Sequence, residues 1–207
     1  MTELTNPDGT IGKLTAEPSR SEPSARNANP LRAGLASDRN PQACAMVIFG
    51  VSGDLTSRKL MPALYDLSVT VPLPPGFSII GISRRDWSDD DFRAEMRKAV
   101  SEFATRPITD DTWDSFARGL FYVAGDFDDP SVYERLGQRL GEVDHDRGTN
   151  GNRLYYLATP PSFYDHIAAG LGKAGLVKRQ EIYSDPRANG WNRIVIEKPF
   201  GHDLASA

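Results

Sequence analysis

The stretch "VIFGVSGDLTSRKL", residues 47–60, carries an apolar run into a helix-like segment through Gly50 and Gly53, with Asp54 directly behind. A β-branched run closed by glycine and followed by helix formers reads as a strand-to-helix turn. Such a turn can cradle a phosphate on the backbone N–H groups at the helix N-terminus, or it can simply link two elements. The spacing departs from G-x-G-x-x-G, because Val51 and Ser52 stand in the middle, and taken alone it fits both readings. A nucleotide site also needs matching parts at the ends of other strands, so the rest of the chain decides.

Outward from this turn, strand-like and helix-like segments alternate. The strand candidates are 45–50, 77–82, 120–124, 153–158 and 193–197, each rich in β-branched and aromatic residues. Near-continuous apolar runs of this length fit strands buried on both faces of a parallel sheet. Between them, Leu60, Leu64 and Leu67 repeat at helical spacing, with Pro62 implying a late start or a kink. Ser88 ahead of three aspartates reads as a cap and first turn, with Phe92, Met96, Val100 and Phe103 as the buried stripe. Trp113, Phe116, Ala117 and Leu120 suggest a short helix running into the third strand. Asp129 with Pro130 reads as a cap and first helical position before Val132, Leu136, Leu140 and Val143. Ser162 is the expected cap of a helix carrying Phe163, Ile167 and Leu171. The fold class that follows is α/β, a doubly wound parallel sheet of Rossmann type with helices on both faces.

Residues 1–42 have a different texture. "TAEPSRSEPSARNANP" holds almost no large apolar residue and cannot bury enough surface to offset its ordering entropy, so a disordered tail is expected ahead of a domain over 43–207. The net charge of −4 gives no reason to expect a nucleic-acid partner, and no apolar run approaches a membrane span. No signal pattern opens the chain, and the single cysteine, Cys44, suits a reducing cytoplasm and reads as a small residue entering the first strand. His145, His166 and His202 lack ligand spacing, so no metal is expected.

The corners after the strands hold the chemistry. The second strand ends in "GISRRD", where an NAD site usually supplies an acid for the ribose and an NADP site an arginine for the 2′-phosphate. Arg84, nearest the strand end, suits the 2′-phosphate, while Arg85 is as readily a solvated neighbour. "VAGDFDD", "ATPPSFY" and "IEKPFG" follow the third, fourth and fifth strands and are expected to face one crevice with the glycine turn. Lys198, directly after a strand expected to be buried, should be partly desolvated unless it meets an anion, and an ion pair with Glu197 is the plainer alternative.

These pieces closely resemble the N-terminal coenzyme domain of the glucose-6-phosphate dehydrogenase family. "GVSGDLTSRKLMPALYDL", "GISRRDW", "GDFDD", "YLATPPSFY" and "GWNRIVIEKPFGHDL" occur in the family's order over roughly residues 45–205. The resemblance implies NADP as cofactor and glucose 6-phosphate as substrate, oxidised to 6-phosphogluconolactone in the first step of the pentose phosphate pathway. It implies that Gly50, Val51, Ser52, Gly53, Asp54, Leu55, Thr56 and Ser57 form the dinucleotide loop, and that Arg84 contacts the 2′-phosphate. It further implies that Asp126, Phe127 and Tyr164 line the adenosine and nicotinamide sides, and that Lys198 reaches both sugar phosphate and cofactor. Pro199 is the candidate cis residue that bends the chain there. The family's catalytic histidine lies in an R-I-D-H-Y-L-G-K-E motif that has no match here, so a truncated, catalytically inactive piece is expected. The β+α domain that completes the substrate pocket and the homo-oligomer interface is expected to be missing with it. Two alternatives stand beside this reading: another Rossmann sugar oxidoreductase with an E-K-P lysine, or a dinucleotide-binding module without chemistry.

Overall fold

Five parallel strands form one sheet: β1 (Ala45–Phe49), β2 (Ser78–Ser83), β3 (Leu120–Ala124), β4 (Arg153–Leu157) and β5 (Asn192–Ile196). The computed structural model describes residues 41–71, 73–177 and 190–198. Residues 1–40 of the expected tail, together with Pro199 and His202, lie outside the described residues. Gln42, read as part of the tail, accepts a hydrogen bond from Trp191 Nε1 at 2.9 Å.

The strand order is β3-β2-β1-β4-β5, with Ala45 of β1 opposite Ser78 of β2 on one side and Arg153 of β4 on the other. Chain order therefore reverses at β1, which leaves a crevice beyond the carboxyl ends of β1 and β4. Every residue of β1 and β2 is buried, as the unbroken apolar runs required.

Alternation along the strands feeds two cores. Val47, Phe49, Ile80, Ile82, Tyr155 and Leu157 face helices α4 (Pro130–Arg147) and α5 (Tyr164–Lys173). Met46, Ile48, Ile79 and Tyr122 face α1 (Met61–Thr70), α2 (Asp89–Phe103) and α3 (Asp110–Ala117). Three helices cover one face and two the other, the doubly wound arrangement read from the sequence. The caps expected for α2 and α4 are present. Ser88 and Asp91 form a reciprocal capping box, and the Asp129 side chain accepts from the Ser131 N–H ahead of a helix that begins at Pro130.

Three expectations need correction. Ahead of α1 the chain makes a wide π turn over Thr56–Leu60, closed by the Met61 N–H on the Thr56 carbonyl. Pro62 has no N–H, and in a regular helix its ring would press on the Arg58 carbonyl; the wider turn avoids that conflict without ending the helix. Met61, Pro62 and Tyr65 are buried and Leu60 and Leu64 pack partly buried against the same core, while Leu67 is 43% exposed. Ser162 caps nothing: it sits inside a 3₁₀ turn, Pro161–Phe163, that leads into α5. Finally, β5 stands at one end of the strand order among the described residues, and unlike β3 at the other end it contributes no residue to either core. Ile194, Val195 and Ile196 are 43%, 36% and 40% exposed, so apolar composition there does not mean burial on both faces.

Candidate dinucleotide site

The turn after β1 is shaped by glycine. Gly50 has φ +83°, and a Cβ there would lie 2.6 Å from the Ala158 carbonyl oxygen at the end of β4. Only glycine satisfies both the left-handed backbone and that approach. The Gly50 and Val51 N–H groups donate to the Ile82 carbonyl at 2.9 and 3.2 Å, and the Gly53 N–H returns to the Gly50 carbonyl at 2.9 Å. The loop is thereby pinned to the end of β2 and hands the chain to a helical turn whose first N–H groups have no intrahelical acceptors.

A crevice of about 410 Å³ opens above this turn. Gly50, Ser52 and Gly53 form one side, Ser83, Arg84 and Arg85 the end of β2, and Phe127 a wall after β3. Ala158, Thr159, Pro160 and Phe163 close it after β4. The Phe127 ring is held edge-on against Phe49 and Phe163, with centroids 5.8 and 5.6 Å apart. Arg84 is exposed, and its guanidinium has no partner among the described residues. The Thr159 hydroxyl is buried and has no partner among the described residues. An orphaned hydroxyl, an unpaired arginine and a cradle that a Cβ would fill are what a phosphorylated, hydroxyl-bearing ligand can complete.

The structure gathers some expected residues and separates others. Gly50, Ser52, Gly53, Arg84 and Phe127 meet in the crevice. Asp54 and Ser57 line an adjoining cleft of about 440 Å³, which shares Ser52 and Arg85 with the first; Asp54 there faces Arg58 at 3.7 Å. Val51 points into the core and is fully buried, so only its backbone is available to a ligand. Leu55 is 36% exposed on the helical turn, and Thr56 is fully buried with an unpaired hydroxyl. Asp126 is exposed, lines neither cleft, and accepts the Asp128 N–H at 3.4 Å.

Tyr164 and Lys198 form a separate group at the β5 corner. The Tyr164 hydroxyl donates to the Glu197 carbonyl at 3.3 Å. The Glu197 carboxylate accepts the Tyr156 hydroxyl, and burial together with that carboxylate pushes the Tyr156 phenol up to about 12. Glu197 makes no ion pair with Lys198 among the described residues. Lys198 is exposed rather than partly desolvated, and the strand it follows, β5, is itself largely exposed. Sequence reasoning flagged "ATPPSFY" as a corner without singling out Thr159. Its signal was the polar residue between Ala158 and a proline pair, and its orphaned hydroxyl is visible only in three dimensions.

The family model described as "Glucose-6-phosphate dehydrogenase, NAD binding domain" matches residues 47–207. The chain belongs to the glucose-6-phosphate dehydrogenase family. It is 46% identical over 164 residues to glucose-6-phosphate 1-dehydrogenase 2 of Mycobacterium tuberculosis strain H37Rv, a match covering 79% of this chain and 30% of that protein. It is 42% identical over 174 residues to glucose-6-phosphate 1-dehydrogenase of Chlamydia pneumoniae, covering 84% of this chain and 33% of the relative. Among solved structures, glucose-6-phosphate 1-dehydrogenase from Mycobacterium avium superposes with a TM-score of 0.64 at 32% identity, over 80% of this chain and 32% of that one. A glucose-6-phosphate dehydrogenase in complex with its substrate glucose 6-phosphate superposes with a TM-score of 0.65 at 32% identity, again over 80% of this chain and 32% of that one. The chain thus spans about a third of the length of the curated relatives it matches. The family model's description supports a dinucleotide-binding role for this domain.

Proposed function

We propose that this chain supplies the NADP-binding part of an enzyme that oxidises glucose 6-phosphate to 6-phosphogluconolactone. The observation that carries the cofactor choice is Arg84, unpaired among the described residues and lining the crevice at the end of β2, with Arg85 beside it. An arginine at this corner matches a 2′-phosphate by a charge-assisted, bidentate pair, whereas an unphosphorylated ribose calls for a carboxylate.

In this reading the helical turn after Gly53 receives the pyrophosphate on its backbone N–H groups, and Gly50 lets the chain pass close under it. Ser52 and Gly53 give the ligand side of the loop, and Phe127 the apolar wall. Asp54, Leu55, Thr56 and Ser57 hold the loop's shape, Ser57 through hydrogen bonds from its hydroxyl to the Gly53 and Asp54 carbonyls at 3.1 and 3.2 Å. Val51 anchors it in the core. Asp126 is assigned only by the family resemblance, since it lines neither cleft. Bound NADP would supply the hydride acceptor. The family resemblance assigns Tyr164 and Lys198 to the nicotinamide side and the sugar phosphate, where the exposed ammonium of Lys198 would orient an anion. A base within hydrogen-bond reach of the sugar hydroxyl is also required. No stretch of the 207 residues matches the R-I-D-H-Y-L-G-K-E motif that would carry it. Assembly into homo-oligomers, through parts of the family's fold beyond this domain, and a cytoplasmic setting belong to the same proposal. Cys44 suits that setting: burial pushes its thiol up to about 11, which leaves it inert.

The test is calorimetric titration of NADP and NAD into the 207-residue protein and its Arg84→Ala variant. The variant should weaken NADP about tenfold or more and leave NAD nearly untouched. Equal loss for both cofactors would assign Arg84 to the fold instead.

A further inference from the structure

Arg84 is flanked by two residues that are tied to a single buried side chain. Tyr122, in the middle of β3, is 4% exposed, and its ring packs between Trp87 and Phe92, with centroids 5.6 and 5.4 Å away. Its hydroxyl lies 2.7 Å from Ser83 Oγ, 3.0 Å from the Ser83 carbonyl and 2.7 Å from the Arg85 carbonyl. The Arg85 N–H in turn points at Ser83 Oγ at 3.4 Å. One assignment of protons closes the ring: Ser83 donates its hydroxyl to the phenol, the phenol donates to the Arg85 carbonyl, and the Arg85 N–H donates to Ser83.

That ring sits where β2 ends and the chain turns toward Trp87. A turn at the surface with two exposed arginines has little apolar burial of its own to fix it. Here the residues before and after Arg84 are both anchored from below, so the Arg84 side chain leaves the turn into the crevice. Burial raises the Tyr122 phenol above its ordinary value, which keeps it a protonated donor across the neutral range.

We propose that Tyr122 is a positioning residue for cofactor selectivity: its hydroxyl fixes the Ser83–Arg85 turn and thereby holds Arg84 where it meets the 2′-phosphate. Tyr122 touches no ligand itself, since the crevice is lined by Ser83, Arg84 and Arg85 and not by the phenol beneath them. The inference rests on the proposed role of Arg84, and its test keeps the two apart.

NADP and NAD are titrated into the parent protein and into Tyr122→Phe, Ser83→Ala and Arg84→Ala, with a thermal melt of each. Tyr122→Phe keeps the ring packing and removes only the hydroxyl. It should weaken NADP about threefold to tenfold while changing NAD less than about twofold, the size expected from losing one buried hydrogen bond. Ser83→Ala breaks the same ring at one point and should give a smaller selective loss, and it carries the test if Tyr122→Phe does not fold. If Arg84→Ala weakens NADP while the fold-competent ring variants bind both cofactors like the parent, Tyr122 is only a core residue and the inference falls. Equal weakening of NADP and NAD by Tyr122→Phe overturns it too, because that is the mark of general loosening. If Arg84→Ala leaves selectivity unchanged, the role of Arg84 fails and the inference fails with it.

Discussion

The two ends of the sheet differ in what they leave unpaired. At the amino end, charges are closed upon one another. Arg153 at the start of β4 is 7% exposed and reaches the Asp144 carboxylate, which also accepts from the Thr149 hydroxyl and, at 3.0 Å, from the Gly151 N–H. Asn152 beside it bridges the Ala43 carbonyl and the Gly190 N–H at 2.9 Å each. Arg147, at the end of α4, donates to Ser78 Oγ at 2.8 Å. At the carboxyl end, Arg84 has no partner among the described residues and the Thr159 hydroxyl is orphaned. Buried polar groups that satisfy each other serve the fold, and those left open at a crevice are available to a ligand. Mutations at the two ends should therefore separate stability from binding.

The largest effect is expected at the closed end. Asp144→Ala leaves the Arg153 guanidinium buried without its counter-charge, which costs about 3 kcal/mol or more. The urea midpoint should fall steeply, while cofactor binding at temperatures where the variant is folded stays near the parent's. Next is Arg84→Ala at the open end, with the reverse pattern: about 1.5–3 kcal/mol lost in NADP binding and a melt within a degree or so of the parent. A variant that altered both properties together would merge what the two ends keep apart.

A pH series extends the contrast. Burial alone would raise the Asp144 carboxyl, but the hydrogen bonds from Arg153, Thr149 and Gly151 outweigh it and hold the group below its ordinary value. A carboxyl depressed in the folded state binds its proton first in the unfolded chain. Its stabilising contribution is therefore complete above the ordinary carboxylate range, and it is lost as pH falls through the lower folded value. Acid melts should show this loss in the parent, and Asp144→Asn should flatten that limb. The smallest effect is expected from Thr159→Val, which removes an already unpaired hydroxyl. Stability should change by less than about 0.5 kcal/mol, while cofactor affinity falls if the ligand uses that hydroxyl.

How much of this was legible in the sequence depended on how local each cause was. The strands β1 and β2 are legible because every residue is buried and the runs are apolar, and β3 and β4 because most of their residues are. The same composition misleads at β5, since nothing in "RIVIE" says that the strand joins neither core, whereas β3, also terminal in the order, does. In α1 the leucine repeat finds Leu60 and Leu64, which pack partly buried, but misses Met61 and Tyr65 and includes the exposed Leu67, since a π turn precedes the helix at Pro62. In the site, Gly50, Ser52, Gly53, Arg84 and Phe127 could be read from their places after strands. The Tyr122 ring and the Tyr156–Glu197 contact join residues 37 to 41 positions apart, which no spacing rule reveals. Lys198 was placed correctly in the chain but given the wrong surroundings, since the strand it follows is itself largely exposed.

The most direct measurement is a side-by-side calorimetric titration of NADP and NAD into the 207-residue protein at fixed salt. NADP should bind at least about tenfold more tightly, the difference one Arg–phosphate pair supplies. Equal affinity, or tighter binding of NAD, would contradict the assignment of the open end of the sheet to a 2′-phosphate.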